Sequence, residues 1–462
     1  MSKCVLWLPT AVVLAACASQ SSSSSIPRAG VPFIKSASGS TPIAHIVLIV
    51  QENRTFNNLF ATFPGATGAT VGQERVGKQA QSIGLKETRL GGKRNLNHNY
   101  MGYLTAYDKG KMDGFDDVKF IRNGRPEGAS PYVYVNPNDI APYWTMAEQY
   151  GLANAMFTTQ GSASFPAHQD LIRGGTEIDA TASMIDNLPY TGQAWGCDSA
   201  PGSKTSLITT KLKYERNAGP FPCSSAFQSS GTGYQTLRDL LDAKSLSWKY
   251  YTPKIGDSGG IWDAFDVIAP VRNGPEWAAN VSSPSTNIFS DISNGELATM
   301  SWVIPDGTNS DHPGSGGDKG PSWVASVVNA IGESQYWNST AIIVVWDDWG
   351  GFYDPVKPPP HDNQGGPGFR VPMIVISPYA REAVPSQPGY ISNTVYEFGS
   401  IIRFVEDTFN LGRLGTTDET TNSIADMLDF AQSPRPFQQI GAKYPRAYFL
   451  HQRPSGLPVD TQ

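Results

Sequence analysis

Two acidic pairs stand where two hydrophobic runs end. Glu52-Asn53 follows the run His45-Ile46-Val47-Leu48-Ile49-Val50, and Asp347-Asp348 follows Ala341-Ile342-Ile343-Val344-Val345-Trp346. Three carboxylates and one amide brought together would make an oxygen-rich cage for a hard divalent cation. The alternative for either pair is a helix cap, since acidic residues after strands often serve that purpose. A second candidate is the segment Gly161-Ser162-Ala163-Ser164-Phe165-Pro166-Ala167-His168. Small residues, a hydroxyl and a proline at a strand-to-helix junction suit a nucleophile held near a helix N-terminus, where the dipole favours an alkoxide and binds phosphate. Three of the six histidines, His98, His312 and His361, sit in polar, turn-rich surroundings beside Asn or Asp. Such residues are placed to bind anions or move protons. His45 begins a strand and His451 lies in the tail, so both read as structural or exposed.

These side chains need a scaffold that delivers them to one place. Strand-like runs fall at 45–50, 246–251, 300–304, 341–346 and 371–377, with an apolar run at 152–157 ahead of Ser164. Helical patterns lie between them at 234–245, 321–331 and 398–409. The near-continuous apolar strands and their alternation with helices predict an α/β fold: a doubly wound, mostly parallel sheet with helices on both faces. In such sheets ligands bind beyond the carboxyl ends of the strands, where both acidic pairs stand. Residues 62–135 and 177–235 are polar and turn-rich and read as insertions over that edge. The tail after about Thr416 reads as an irregular wrap.

The N-terminus has the features of an export signal. Lys3 precedes an apolar stretch from Cys4 to Leu14, and Leu14-Ala15-Ala16-Cys17 has the small-residue pattern of a cleavage site ending in cysteine. The expectation is a lipoprotein-type signal over 1–17, a Ser-rich tether over 18–40 and a catalytic domain over 41–450. Cys17 would carry the lipid and the membrane association. Ala18 offers no acidic inner-membrane retention signal, so the expected address is the outer membrane, facing periplasm or cell surface; without the lipid it is periplasmic or secreted. Cys197 and Cys223 then remain as an even pair in an oxidising compartment and are expected to form a disulfide. A net charge of -6 gives no argument for a nucleic-acid partner. The oligomeric state is not legible.

Taken together the segments resemble the bacterial phosphoesterase family, which contains non-zinc phospholipases C and related acid phosphatases. The resemblance is carried by Gln51-Glu52-Asn53-Arg54-Thr55-Phe56, Met112-Asp113-Gly114-Phe115, the Ser164 segment, Asp311-His312-Pro313, Asp347-Asp348-Trp349-Gly350-Gly351-Phe352-Tyr353-Asp354 and Phe369-Arg370-Val371-Pro372. It implies an alkaline-phosphatase-like fold and a phosphoryl-enzyme mechanism. By position, Glu52, Asn53, Asp347 and Asp348 would bind the metal, and Ser164 falls at the nucleophile. Asn53 would also stabilise charge on the phosphoryl oxygens. His98 and His312 would contact phosphate or the leaving group. The chain departs from the family pattern at His168, where an Arg is usual, and at Pro355, where a His is usual. His168 and His361 are therefore expected as substrate contacts.

The resulting expectation is an exported, metal-dependent hydrolase of phosphoric esters, with phospholipase C-like action on a phosphate ester or phospholipid. Its single divalent ion would be Ca²⁺, Mg²⁺, Mn²⁺ or iron in preference to Zn²⁺, because the expected cage holds oxygen alone. A broad-specificity acid phosphomonoesterase is the first alternative. A non-catalytic, surface-anchored binding protein is the second.

Overall fold

Eight strands form the central sheet of the computed structural model. In chain order they are β1 (His45–Gln51), β2 (Gly151–Ala153), β3 (Trp248–Tyr251), β4 (Val281–Ser282), β5 (Met300–Val303), β6 (Thr340–Trp346), β7 (Met373–Ile376) and β8 (Tyr390–Ser392). Across the sheet they run β4-β3-β5-β1-β6-β7-β2-β8. All pairs are parallel except the two made by β7, which runs antiparallel to both β6 and β2. The fold is thus α/β with a mostly parallel sheet, as the apolar runs predict. Every residue of β6 is buried, so both faces of the sheet are covered. Burying each such Val or Ile side chain contributes roughly 1.5–3 kcal/mol.

The described residues are 1, 41–92, 95–121, 123–189, 191–223, 234–314, 316–360, 362, 364–383, 389–453 and 455. The expected signal cleavage site, Cys17, the tether and His361 lie outside them. No helix among the described residues is long and apolar enough to cross a membrane.

The register of two strands decides where the chemistry goes. β1 and β6 pair side by side from His45↔Thr340 to Gln51↔Trp346. Asp347 N–H extends this ladder by donating to Gln51 O at 3.0 Å. Glu52-Asn53 and Asp347-Asp348 therefore leave the same edge on neighbouring strands. β5 flanks β1 on its other side and leads into the loop holding Asp311-His312. β2 points the same way as β6 and leads into the helix Ser164–Arg173. The antiparallel β7 begins at this edge, which brings Arg370 there from the other direction.

Element limits differ from the sequence reading in instructive ways. The helix expected over 234–245 spans Leu237–Ala243, because a Thr236–Asp239 capping box starts it. Its far end stops before Ser245, whose φ is +54°. The edge strands β4 and β8 have two and three residues, too few to display a period. The insertion over 177–235 carries its own antiparallel sheet: Glu177–Asp179, Ala182–Ile185, Ser206–Thr209 and Tyr214–Glu215. The Cys197–Cys223 disulfide closes the loop that holds the last two strands. The insertion over 62–135 is anchored by a second aromatic cluster, in which Tyr103, Phe115 and Tyr132 pack with Trp349, Tyr353 and Phe369. The tail is irregular, yet its Ile424, Met427, Ile440 and Phe449 are buried in the main core.

Candidate active site

Neither acidic pair caps a helix. The helix after Glu52 is Phe56–Phe60 and its cap is Thr55, whose hydroxyl accepts from Asn58 N–H. No helix begins in the loop directly after Asp348. Glu52, Asn53, Asp347 and Asp348 are instead wholly buried together at the carboxyl edge. Asn53 adopts a left-handed φ of +61°, which turns its backbone N–H onto Asp347 Oδ1 at 2.8 Å. Asn tolerates this conformation better than most residues. Gly350 (φ +59°) lies against that turn: a Cβ there would stand 2.1 Å from Asn53 O. The glycine of the Asp-Asp-Trp-Gly motif is thus required by close approach of the two acidic segments.

His168 joins this group, which the sequence reading places as a substrate contact. Its Nε2 is 3.0 Å from Glu52 Oε1 and 3.9 Å from Asp347 Oδ2. Glu52, His168 and Asp347 each offer one atom within 4.8 Å of the others. Where the expected cage holds oxygen alone, a ring nitrogen stands among the carboxylates. The reason is that the Ser164–Arg173 helix starts at the same edge and turns position 168 back toward the strand ends.

Three oxygens of this cluster lack donors. Glu52 Oε2, Asp347 Oδ2 and Asn53 Oδ1 are buried with no hydrogen-bond partner. Buried acceptors without donors are costly, and a cation is one way to satisfy them. Burial and the neighbouring Asp347 push the Glu52 carboxyl well above its ordinary range. Burial and the neighbouring Asp348 raise Asp347 too. Burial pushes the His168 imidazole down to about 4, so it is neutral and able to act as a ligand. The donor set fits a divalent metal, and two carboxylates with an imidazole suit Mn²⁺, Fe²⁺ and Zn²⁺ as well as harder ions.

Ser164 is the first residue of its helix, and its hydroxyl donates to Asp348 Oδ2 at 3.0 Å. The other Asp348 oxygen accepts from Gly350 N–H at 2.7 Å. Burial pushes the Asp348 carboxyl up to about 7. Ser162 is differently engaged: its hydroxyl accepts from Asp186 N–H at 2.8 Å. Asn187 Oδ1 holds the turn by accepting from Phe165 N–H at 2.8 Å.

His98 reaches the same pocket from the 62–135 insertion. Its Nε2 accepts from the Asn53 side-chain amide at 3.0 Å and lies 3.7 Å from Asp348 Oδ2. Its Nδ1–H donates to Leu96 O at 2.7 Å, which sets the tautomer. Trp349 Nε1–H holds the His98 backbone through its carbonyl at 3.0 Å. His312 is buried on the other side, 5.8 Å between ring centroids from Trp262, which in turn stacks on His168 at 6.4 Å.

The sequence reading missed the supports. Trp262 has no motif that marks it. Asp311 is an anchor beside His312: it accepts from Tyr143 OH and Trp346 Nε1–H, both at 2.9 Å, and its own N–H donates to Gln51 Oε1 at 2.9 Å. Arg370 and Asp354 form a buried pair at 2.9 Å, with Arg370 over the Phe56 ring. These two motif residues brace the site and do not face the acidic cluster's free oxygens.

The chain is 23% identical over 80% of its length to a non-hemolytic phospholipase C of Burkholderia pseudomallei, and spans 55% of that relative. It is 23% identical over 92% of its length to phospholipase C B of Mycobacterium tuberculosis, spanning 86% of it. Among solved structures, a protein of the alkaline phosphatase superfamily from Vibrio parahaemolyticus overlaps 85% of this chain and 73% of its own, at 10% identity and a TM-score of 0.37. Residues 43–412 match the phosphoesterase family, which takes in both acidic pairs, Ser164 and the two described loop histidines, His98 and His312; the chain belongs to the phosphoesterase family.

Proposed function

We propose that this protein is a metal-dependent phosphoric ester hydrolase with phospholipase C-like action, working through a phosphoseryl intermediate at Ser164. The observation that carries the reading is the Ser164–Asp348 hydrogen bond, set beside buried oxygens that lack donors. Glu52, His168 and Asp347, with Asn53 Oδ1, would hold the divalent ion. When bound, that ion supplies positive charge to the phosphoryl oxygens and to the attacking hydroxyl.

Ser164 Oγ passes its proton to Asp348 Oδ2 and attacks phosphorus in line. The Oγ–P bond forms as the bond from phosphorus to the departing alcohol oxygen breaks. His312 donates the proton that the alcohol takes with it, and Asn53 steadies charge on the phosphoryl oxygens. His98, held by Leu96 O and Asn53, keeps the amide oriented. Water then cleaves the phosphoseryl bond, and Ser164 recovers its proton. Remaining parts of the reading are export with the 1–17 signal and a lipid on Cys17; equal membrane association of wild type and Cys17→Ser would count against that anchor.

The test is a substrate panel of p-nitrophenyl phosphate, bis(p-nitrophenyl) phosphate and phosphatidylcholine, with and without chelator. Cleavage of the diesters that is lost on chelation supports the reading. Cleavage of the monoester alone would replace it with the phosphomonoesterase.

A further inference from the structure

A cavity of about 460 Å³ opens beside the candidate active site. Its walls are built from the neighbours of the site residues. Arg54 follows Asn53, Pro313 follows His312, and Leu96 accepts the His98 ring N–H. The cavity therefore shares its loops with the site. The Arg54 guanidinium is fixed at the wall: it donates to Asp311 O at 2.8 Å and Leu90 O at 2.9 Å and lies over the Phe352 ring at 4.9 Å. Lys86 and Arg89 stand exposed at the rim. Among the described residues neither forms an ion pair with a carboxylate. No acidic side chain lines the cavity.

Resting on the reading above, we propose that this cavity receives the alcohol portion of the substrate and selects phosphodiesters whose headgroup carries its own negative charge. Two cations without partners, beside a third that is locked in place, create a positive potential at the rim. An anionic group entering there gains charge-assisted hydrogen bonds, while Leu96, Pro313 and Phe352 cover apolar parts of the ligand. A quaternary ammonium headgroup meets the opposite conditions: it wants aromatic faces and carboxylates, and here it finds like charge. Lys86 and Arg89 are specificity residues in this account. They touch the headgroup and not the reacting phosphorus.

The experiment measures release of dioctanoylglycerol from dioctanoyl phosphatidylinositol 4-phosphate and from dioctanoyl phosphatidylcholine. Wild type, the double variant Lys86→Gln/Arg89→Gln and the charge-keeping double variant Lys86→Arg/Arg89→Lys are compared. The quantity read is the ratio of kcat/KM for the anionic lipid to that for the choline lipid. The neutral variant should lower this ratio about tenfold, as expected for two partly exposed ion contacts. The charge-keeping variant should hold it. The wild-type ratio should also shrink as salt is raised to about 0.5 M, because rim charges are screened. An unchanged ratio in the neutral variant would overturn the inference while leaving the hydrolase reading intact. Release from neither lipid by wild type would overturn the phospholipase C-like reading, and the inference with it.

Discussion

The Ser164 hydroxyl donates to Asp348 Oδ2 at 3.0 Å, joining a helix start to a strand end 184 residues further along the chain. The same carboxylate is fixed by Gly350 N–H. A hydroxyl held in one rotamer beside a buried base is what nucleophilic attack needs, since misplacement by about an ångström can cost a hundredfold in rate.

Ser164→Ala should lower turnover by about a thousandfold or more, with metal content and melting temperature near those of wild type. Acid quenching with ³²P-labelled phosphodiester, followed by peptide mapping, should place the label on Ser164. Label on Ser162 would falsify the assignment. Ser162→Ala is expected to reduce stability modestly, because Asp186 N–H loses its buried acceptor.

The two members of the second acidic pair should separate in their effects. Asp347→Asn and His168→Ala each remove a member of the three-residue group and should lower both metal content and activity, the latter by about a hundredfold or more. Asp348→Asn should lower activity comparably while the metal stays, since this carboxylate is engaged with Ser164 and Gly350. Plasma emission analysis of the purified variants checks the metal; equal metal loss in all three would merge the two roles.

Metal removal should also destabilise the fold. Buried Glu52, Asn53 and Asp347 oxygens without donors favour the bound state, and a ligand that binds only the native state raises its stability by mass action. Exhaustive chelation is expected to lower the melting temperature by several degrees, and readdition should restore it. A calorimetric trace indifferent to chelator would argue that these oxygens are satisfied by water.

Glu127 gives a stability signal tied to pH. Its carboxylate accepts from Asn97 N–H at 2.6 Å, next to His98, and burial pushes it up from 4.5 to about 8. Between those values the native state keeps a proton that the unfolded chain has released. The contribution is fully present below the unfolded value and is lost as pH rises through about 8. The melting temperature of wild type should therefore fall more steeply from pH 5 to pH 8.5 than that of Glu127→Gln. Parallel curves would mean that the carboxyl titrates normally.

The Cys197–Cys223 bond closes a loop with a sequence separation of 26. The chain-entropy account gives such a closure about 3 kcal/mol. Cys197→Ser should destabilise by about that order, and denatured wild type should show no free thiol from this pair. A positive thiol test from both would remove the bond from the mature protein.

Local pattern alone carried the central strands. Runs such as Ile342–Trp346 and Val47–Val50 are apolar without alternation, and only a strand buried on both faces tolerates that. The acidic pairs were legible for the same reason: a carboxylate after a buried strand stands at the sheet edge. The Cys197–Cys223 pairing followed from having two cysteines left once Cys4 and Cys17 are given to an expected leader. Tertiary structure decided what local pattern cannot encode. Strands β4 and β8 are set by pairing with β3 and β2 and not by their own period. His168 became a neighbour of Glu52 because one helix start and one strand end, 116 residues apart, meet at a common edge. Trp262 between the two histidines, and Asp311 held by Tyr143 and Trp346, arise from contacts between distant segments. Residue type and spacing state which groups are available; the register of β1 against β6 determines which of them share a site, because a parallel pairing places both strand ends, and whatever follows them, side by side.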